Sequence, residues 1–223
     1  MRKKTCLLYL ALFLAGCQGN NSATVETAPK ETAPAYQTKG LEYFGFPFGK
    51  PVHYKAVGLP QGTAEGDRTI KTVVQDGKLM ITATWSGGLA ALDSETDVAD
   101  ADGLHNTSTG NNRFDPPLLQ LPANPKEGDS WKSNYEVKIP SGTFRANTTS
   151  KVLGIKKVTV PLGTFDAMVV RETGTLASGS LTMDVTSSVW FVKGVGLVKN
   201  SLQTSIHGSQ TSNTITIEAI PAK

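Results

Sequence analysis

The sequence predicts an all-β body of antiparallel neighbours joined by glycine turns, carried behind an N-terminal signal peptide and a flexible tether. Three observations predict it. Trp131, Tyr135, Val137 and Ile139 alternate with Lys132, Asn134, Glu136 and Lys138, a period of two with one wet face. The same alternation recurs in Leu181, Met183 and Val185 against Thr182, Asp184 and Thr186. No long helical stripe appears beyond the first residues, so sheet must pack on sheet.

Taken in order, the chain begins with Arg2, Lys3 and Lys4, then an apolar run from Cys6 to Ala15 that is too short to span a bilayer as a stable helix. Residues 1–16 are predicted to be a removed signal peptide. Leu14-Ala15-Gly16-Cys17 resembles the lipobox of bacterial lipoproteins. That resemblance implies cleavage between Gly16 and Cys17 and a diacylglycerol anchor on the Cys17 thiol. Gln18, rather than an aspartate, then argues for the outer membrane where the host has one. Residues 17–40 are polar and rich in Ala, Thr, Pro and Glu, and they lack the apolar surface to order themselves. As a coil they would reach roughly 25 to 30 Å, enough to hold a domain clear of lipid headgroups.

The β-rich envelope domain is expected over 41–223. Tyr43, Phe44, Phe46, Phe48 and Tyr54 crowd a segment that Pro47, Gly49 and Pro51 keep from being a helix. It reads as a packed segment closing a core, with an aromatic ligand platform as the alternative. Asp76-Gly77 between two β-rich runs is the strongest hairpin signal, with Leu79, Ile81, Ala83 and Trp85 on one face. Asp93, Glu95, Asp97, Asp100 and Asp102 follow, and a calcium loop is the natural test. The run fails the EF-hand pattern, with Val98 where glycine belongs and Leu104 where the bidentate glutamate belongs, and so reads as a solvated loop continuing through His105 to Asn112. Another kind of calcium site in Asp93 to Asp102 stays open.

Phe114 to Pro122 reads as an extended, proline-stiffened crossing. Thr143 to Leu153 runs back as a polar strand after the Pro140-Ser-Gly142 turn. Further strands are expected at Ser180 to Val192, Leu197 to Ile206 and Thr214 to Ile220, with Gly194 and Gly196 reversing the chain in Val189 to Lys199. Phe46 to Tyr54 and Leu121 to Trp131 share an order of proline, glycine and aromatic strand start, which would suit a duplicated half-domain.

Several of these pieces line up together: Tyr43-Phe44 through Gly49 to Tyr54, Asp102-Gly103-Leu104, Phe114 to Pro122, Gly128-Asp-Ser-Trp131, Val158 to Phe165 and Trp190 to Lys199. In that order they resemble the TapB-like exported bacterial β-rich proteins, related to domains of unknown function, although no tryptophan stands near Val52. The resemblance implies a curved antiparallel sheet, a half-barrel or partly closed barrel, in the cell envelope. It brings no catalytic residues.

Charge and chemistry narrow the function classes. Without Arg2, Lys3 and Lys4, the 22 basic residues fall to 19 against 19 acidic, so no electrostatic footprint for nucleic acid is expected. Cys6 and Cys17 are the two cysteines, which leaves the body no disulfide or thiolate site. His53, His105 and His207 have no partner at ligand spacing, and neither Ser86 nor Ser178 sits in a nucleophile elbow. The expectation is therefore a non-enzymatic lipoprotein with no catalytic, cofactor-binding or metal residues, held on the membrane through Cys17. It would serve as a binding or assembly module with an envelope protein as partner. The alternative is a carrier of an apolar ligand or lipid, with the apolar face of Trp131, Tyr135, Val137, Leu181, Met183 and Val185 lining a groove. A hydrolase whose acid pair meets only in three dimensions stands third.

Overall fold

The computed structural model describes residues 39–44, 51–76, 78–139 and 142–222. Gly16, Cys17, most of the tether, Phe46 and Phe48 lie outside the described residues. The described chain is all-β apart from two short 3-10 turns, η1 (Lys39–Tyr43) and η2 (Gly87–Leu89). The strands of the first half are β1 (Val52–Leu59), β2 (Gly62–Gln75), β3 (Lys78–Trp85), β4 (Glu95–Ala99), β5 (Gly103–Thr109) and β6 (Asn112–Pro122). Those of the second half are β7 (Ser130–Ile139), β8 (Gly142–Val160), β9 (Gly163–Ser178), β10 (Leu181–Val192), β11 (Gly196–Ile206) and β12 (Ser212–Ala219).

They form one sheet in the order β6-β5-β4-β3-β2-β1-β12-β11-β10-β9-β8-β7. Every strand follows its sequence neighbour except where β1 joins β12, antiparallel with Tyr54 opposite Ala219. That pairing curls the sheet into a barrel that closes everywhere but between β6 and β7. Short connections explain the meander: Gln75 pairs directly with Lys78, and Asp76 takes the positive φ of 51° that this tight turn needs. The expected hairpin is thus present.

The seam has a local cause. β6 carries Pro116 and Pro117, which have no N–H to donate, and prolines belong on sheet edges for that reason. β7 places Lys132 and Lys138 on its exposed face, another device that discourages edge pairing.

Alternation sets the interior. Within Thr143 to Leu153 of β8 the buried residues are Phe144, Ala146, Thr148, Ser150 and Val152, so a stretch that reads as polar is half core. Gly174 of β9 lies opposite Thr148, and a Cβ there would meet the Asn147 carbonyl oxygen at 2.1 Å, so glycine lets the two strands approach. The larger apolar cluster includes Leu41, Phe44, Tyr54, Ile81, Leu121 and Phe191. A second gathers Phe144, Ala146, Leu176, Met183, Val185 and Leu202, with Tyr135 and Leu181 against it. The first turn, η1, ties strand ends together: the Gly40 amide donates to the Ala123 carbonyl at 3.0 Å, and the Gly194 amide donates to the Glu42 carbonyl at 2.8 Å.

Three expectations need correction. The acidic run is not a solvated loop. Glu95 to Ala99 forms β4, and Asp97 and Ala99 are buried on its inner face. His105 to Asn112 is not a continuation of that loop either, because β5, a tight turn and the start of β6 occupy it. Phe114 to Pro122 is a paired strand on its β5 side rather than a crossing, with Leu118 opposite Asn106 and Leu121 opposite Leu104. In each case cross-strand hydrogen bonds to distant residues override local polarity and proline content.

Candidate functional site

The barrel interior holds a partly open cavity of about 190 Å³ that touches both apolar clusters. Inward positions of β10 supply one wall: Val185, Ser187, Val189 and Phe191. Leu118 of β6 and Tyr135 and Val137 of β7 supply another. Apolar walls are thus interrupted by polar groups, which gather at two places.

The first polar centre lies on β2, β4 and β5. Arg68, only 5% exposed, donates from Nη2 to Glu95 Oε2 at 3.1 Å. Its guanidinium carbon stands 5.5 Å from the Phe44 ring centroid and 5.7 Å from that of Trp85. Aromatic faces and one carboxylate together hold this buried cation. Beside it, Asn106 Nδ2 donates to Asp97 Oδ1 at 2.9 Å, and Thr109 Oγ1 donates to Asn106 Oδ1 at 3.2 Å. Burial, with the Glu95 charge adding, pushes the Asp97 carboxyl up to about 8 against the opposing pull of Asn106 and Arg68. Asp97 is therefore mostly protonated at neutral pH, and the charges of this centre balance as Arg68 against Glu95.

The second centre lies on β7 to β10. Glu172 faces the cavity in a cross-strand row with Ser150 on one side and Ser187 on the other. The Tyr135 hydroxyl donates to its carboxylate, and burial, with Glu172 beside it, pushes the phenol above its ordinary range. Among the described residues no lysine or arginine pairs with Glu172. A recess of about 90 Å³, which shares Leu118, Tyr135 and Phe191 with the lining of the main cavity, is lined by Ser133, Ser150, Glu172 and Ser187.

The seam borders both spaces. Trp131 Nε1 donates across it to the Leu119 carbonyl at 2.8 Å, and the Lys138 amide donates to Asn112 Oδ1 at 2.6 Å. Phe114 of β6 and Tyr135 of β7 meet edge to face, with ring centroids 5.4 Å apart. Asn112, Phe114 and Tyr135 also line a wider cleft of about 840 Å³, so the aromatic pair stands between that cleft and the interior. Side chains, rather than a backbone ladder, hold this junction.

Of the apolar face expected to be concave, Tyr135, Val137 and Val185 line the cavity, Leu181 and Met183 belong to the second cluster, and Trp131 sits at the seam. The proposed lipidation and cleavage residues, Cys17 and Gly16, lie outside the described residues. Each histidine stands beside one aspartate: His53 Nδ1 is 2.7 Å from Asp67, His105 Nε2 is 3.3 Å from Asp100, and His207 Nδ1 is 2.9 Å from Asp184. None of the three lines the cavity. Sequence reasoning missed Arg68, Asn106 and Glu172, and it weighed Glu95 and Asp97 only as calcium ligands or members of a solvated loop. The available signal was parity: Glu172 shares a face with buried Val170, and Arg68 shares one with Ile70.

Residues 145–204, spanning most of β8 to β11, match the DUF3108-like family. No curated protein matches the chain. A crystal structure of a protein from Bacteroides fragilis, described as exported and YmcC-like in fold, aligns at 10% identity and a TM-score of 0.49, covering 81% of this chain and 99% of that one. A protein from Parabacteroides distasonis described as a lipoprotein aligns at 12% identity and a TM-score of 0.51, covering 79% of this chain and 97% of that one. At that identity the second likeness is one of fold: this chain has the fold of the Parabacteroides distasonis protein along nearly that protein's whole length.

Proposed function

We propose that this chain is a lipoprotein of the bacterial cell envelope, anchored through Cys17 and most at home on the outer membrane, whose barrel is a binding module for an amphiphilic ligand rather than an enzyme. The observation that carries the binding role is the cavity of about 190 Å³ with apolar walls and two polar centres, reached past a junction without a backbone ladder. Interiors normally pack to high density, so retained space behind a side-chain gate favours an occupant. The lipobox and the described lipoprotein of similar fold support the anchor.

The size of the cavity bounds the ligand. An apolar cavity near 150 Å³ holds benzene, so this one suits about eight non-hydrogen atoms. At about 0.8 kcal/mol per buried CH₂, an eight-carbon chain gains about 6 kcal/mol, a dissociation constant in the tens of micromolar. Titrating the Cys17→Ser protein, free of its anchor, with a fluorescent fatty-chain probe should give saturable binding in that range, with Trp131 emission changing. A folded protein with no saturable uptake refutes the module. In cells, Cys17→Ser should abolish labelling by radioactive palmitate and release the protein from membranes; a variant that still labels and sediments refutes the anchor.

A further inference from the structure

We propose that the recess beside the cavity is a site for a primary ammonium, so that the ligand is an alkylamine-type amphiphile with its cationic head on Glu172. The inference rests on the amphiphile-binding reading above and supplies the chemistry of the head. Charge bookkeeping inside the barrel leads to it. Arg68 is matched by Glu95 at 3.1 Å, and the protonated Asp97 adds no charge at neutral pH. Glu172 is left as the interior carboxylate that no described lysine or arginine pairs with, beside the Tyr135 hydroxyl. A carboxylate in a partly desolvated recess gains most from a cation placed against it.

The shape of the recess selects the kind of cation. Ser150 and Ser187 flank Glu172 on adjacent strands, where neighbouring side chains stand about 5 Å apart. Two hydroxyl oxygens and a carboxylate form a row of acceptors, and a primary ammonium brings three N–H donors. A calcium ion would want six or more oxygens, which this row does not supply. Phe114 and Tyr135 at the seam add aromatic faces that favour a cation on its way in. Val189 and Phe191 line both the recess and the main cavity, so a chain attached to the head runs directly onto apolar wall.

The test uses the full mature chain carrying Cys17→Ser and four probes built on an eight-carbon chain at pH 7: octylammonium, octyltrimethylammonium, octanoate and octanol, each followed by titration calorimetry. Octylammonium should bind at least tenfold tighter than octanoate and also tighter than octyltrimethylammonium, which has no N–H to donate. Glu172→Gln should erase the advantage over octanoate and leave octanol binding unchanged. Octanoate or octanol binding as tightly as octylammonium overturns the ammonium site while the amphiphile reading stands. Equal binding of octyltrimethylammonium overturns the three-donor recognition, and an ammonium preference that survives Glu172→Gln overturns the assignment to that residue. Failure of all four probes to bind a folded protein overturns both readings. Should Glu172→Gln not fold, the ranking of the four probes on the parent chain decides alone.

Discussion

Replacing Asp97 by asparagine should make the protein more stable in alkali, and the structure gives both sign and size. Asp97 is 1% exposed, accepts from Asn106 through Oδ1, and shares its face of β4 with Glu95. Its carboxyl ionises at about 8 when folded against 3.8 in the unfolded chain. Between those values the folded state holds a proton that the unfolded state has lost. Stability from this group is therefore complete below about pH 4, declines as pH rises, and is gone above about pH 8. A change of that size corresponds to on the order of 5 kcal/mol between the two limits. Reorientation of Arg68 toward the new charge recovers part of it, so we expect a loss of at least about 2 kcal/mol. For a chain of this length that is about 4 to 8 °C in melting temperature. Asparagine keeps the Oδ1 acceptor for Asn106 and cannot ionise. Thermal melts followed by circular dichroism from pH 4 to pH 9 should show parent and Asp97→Asn closest together at pH 4 and the variant melting higher at pH 9. A gap that stays constant with pH, or a variant that melts lower at pH 9, refutes the reasoning.

Two further outcomes follow from single hydrogen bonds. Tyr54, 1% exposed, donates its hydroxyl to the Leu197 carbonyl, so Tyr54→Phe should cost about 1 to 3 kcal/mol by leaving that carbonyl unpaired in denaturant unfolding; a cost near zero would mean water reaches it. Trp131→Phe removes the indole donor to Leu119 while keeping a ring, and should speed amide exchange in β6 and β7 selectively while costing about 1 kcal/mol; unchanged exchange there would refute a side-chain latch at the seam.

Much of the sheet was legible because its rules are local. Asp76-Gly77 dictates a hairpin, and the alternation in Trp131 to Ile139 places Tyr135 and Val137 inward whatever else the chain does. The closure of the barrel was not legible, since it depends on Tyr54 finding Ala219, far along the chain, and no local pattern encodes that encounter. The polar interior was hidden for a related reason. Arg68 and Glu95 are each, alone, a surface residue by type, and only their pairing with each other and with the rings of Phe44 and Trp85 makes burial affordable. Asp97 sits in a five-residue strand, too short for its parity to stand out from a run of acidic residues.

The order of the strands has one more consequence. The ring consists of two six-strand meanders, β1 to β6 and β7 to β12, and at each of their two junctions the last strand of one meets the first strand of the other. One junction, β12 to β1, is hydrogen-bonded without a covalent link; the other, β6 to β7, is covalently linked without a ladder. The Ile220 amide donates to the His53 carbonyl at 2.9 Å, which brings the ends of the described sheet together at the first junction. A circular permutant joined there and cut between 123 and 129 would keep every ladder and turn the seam into a pair of free ends. The chain's own numbering thus conceals a jaw: two arms hinged on β1 and β12, tethered across the mouth by seven residues, 123–129, between β6 and β7.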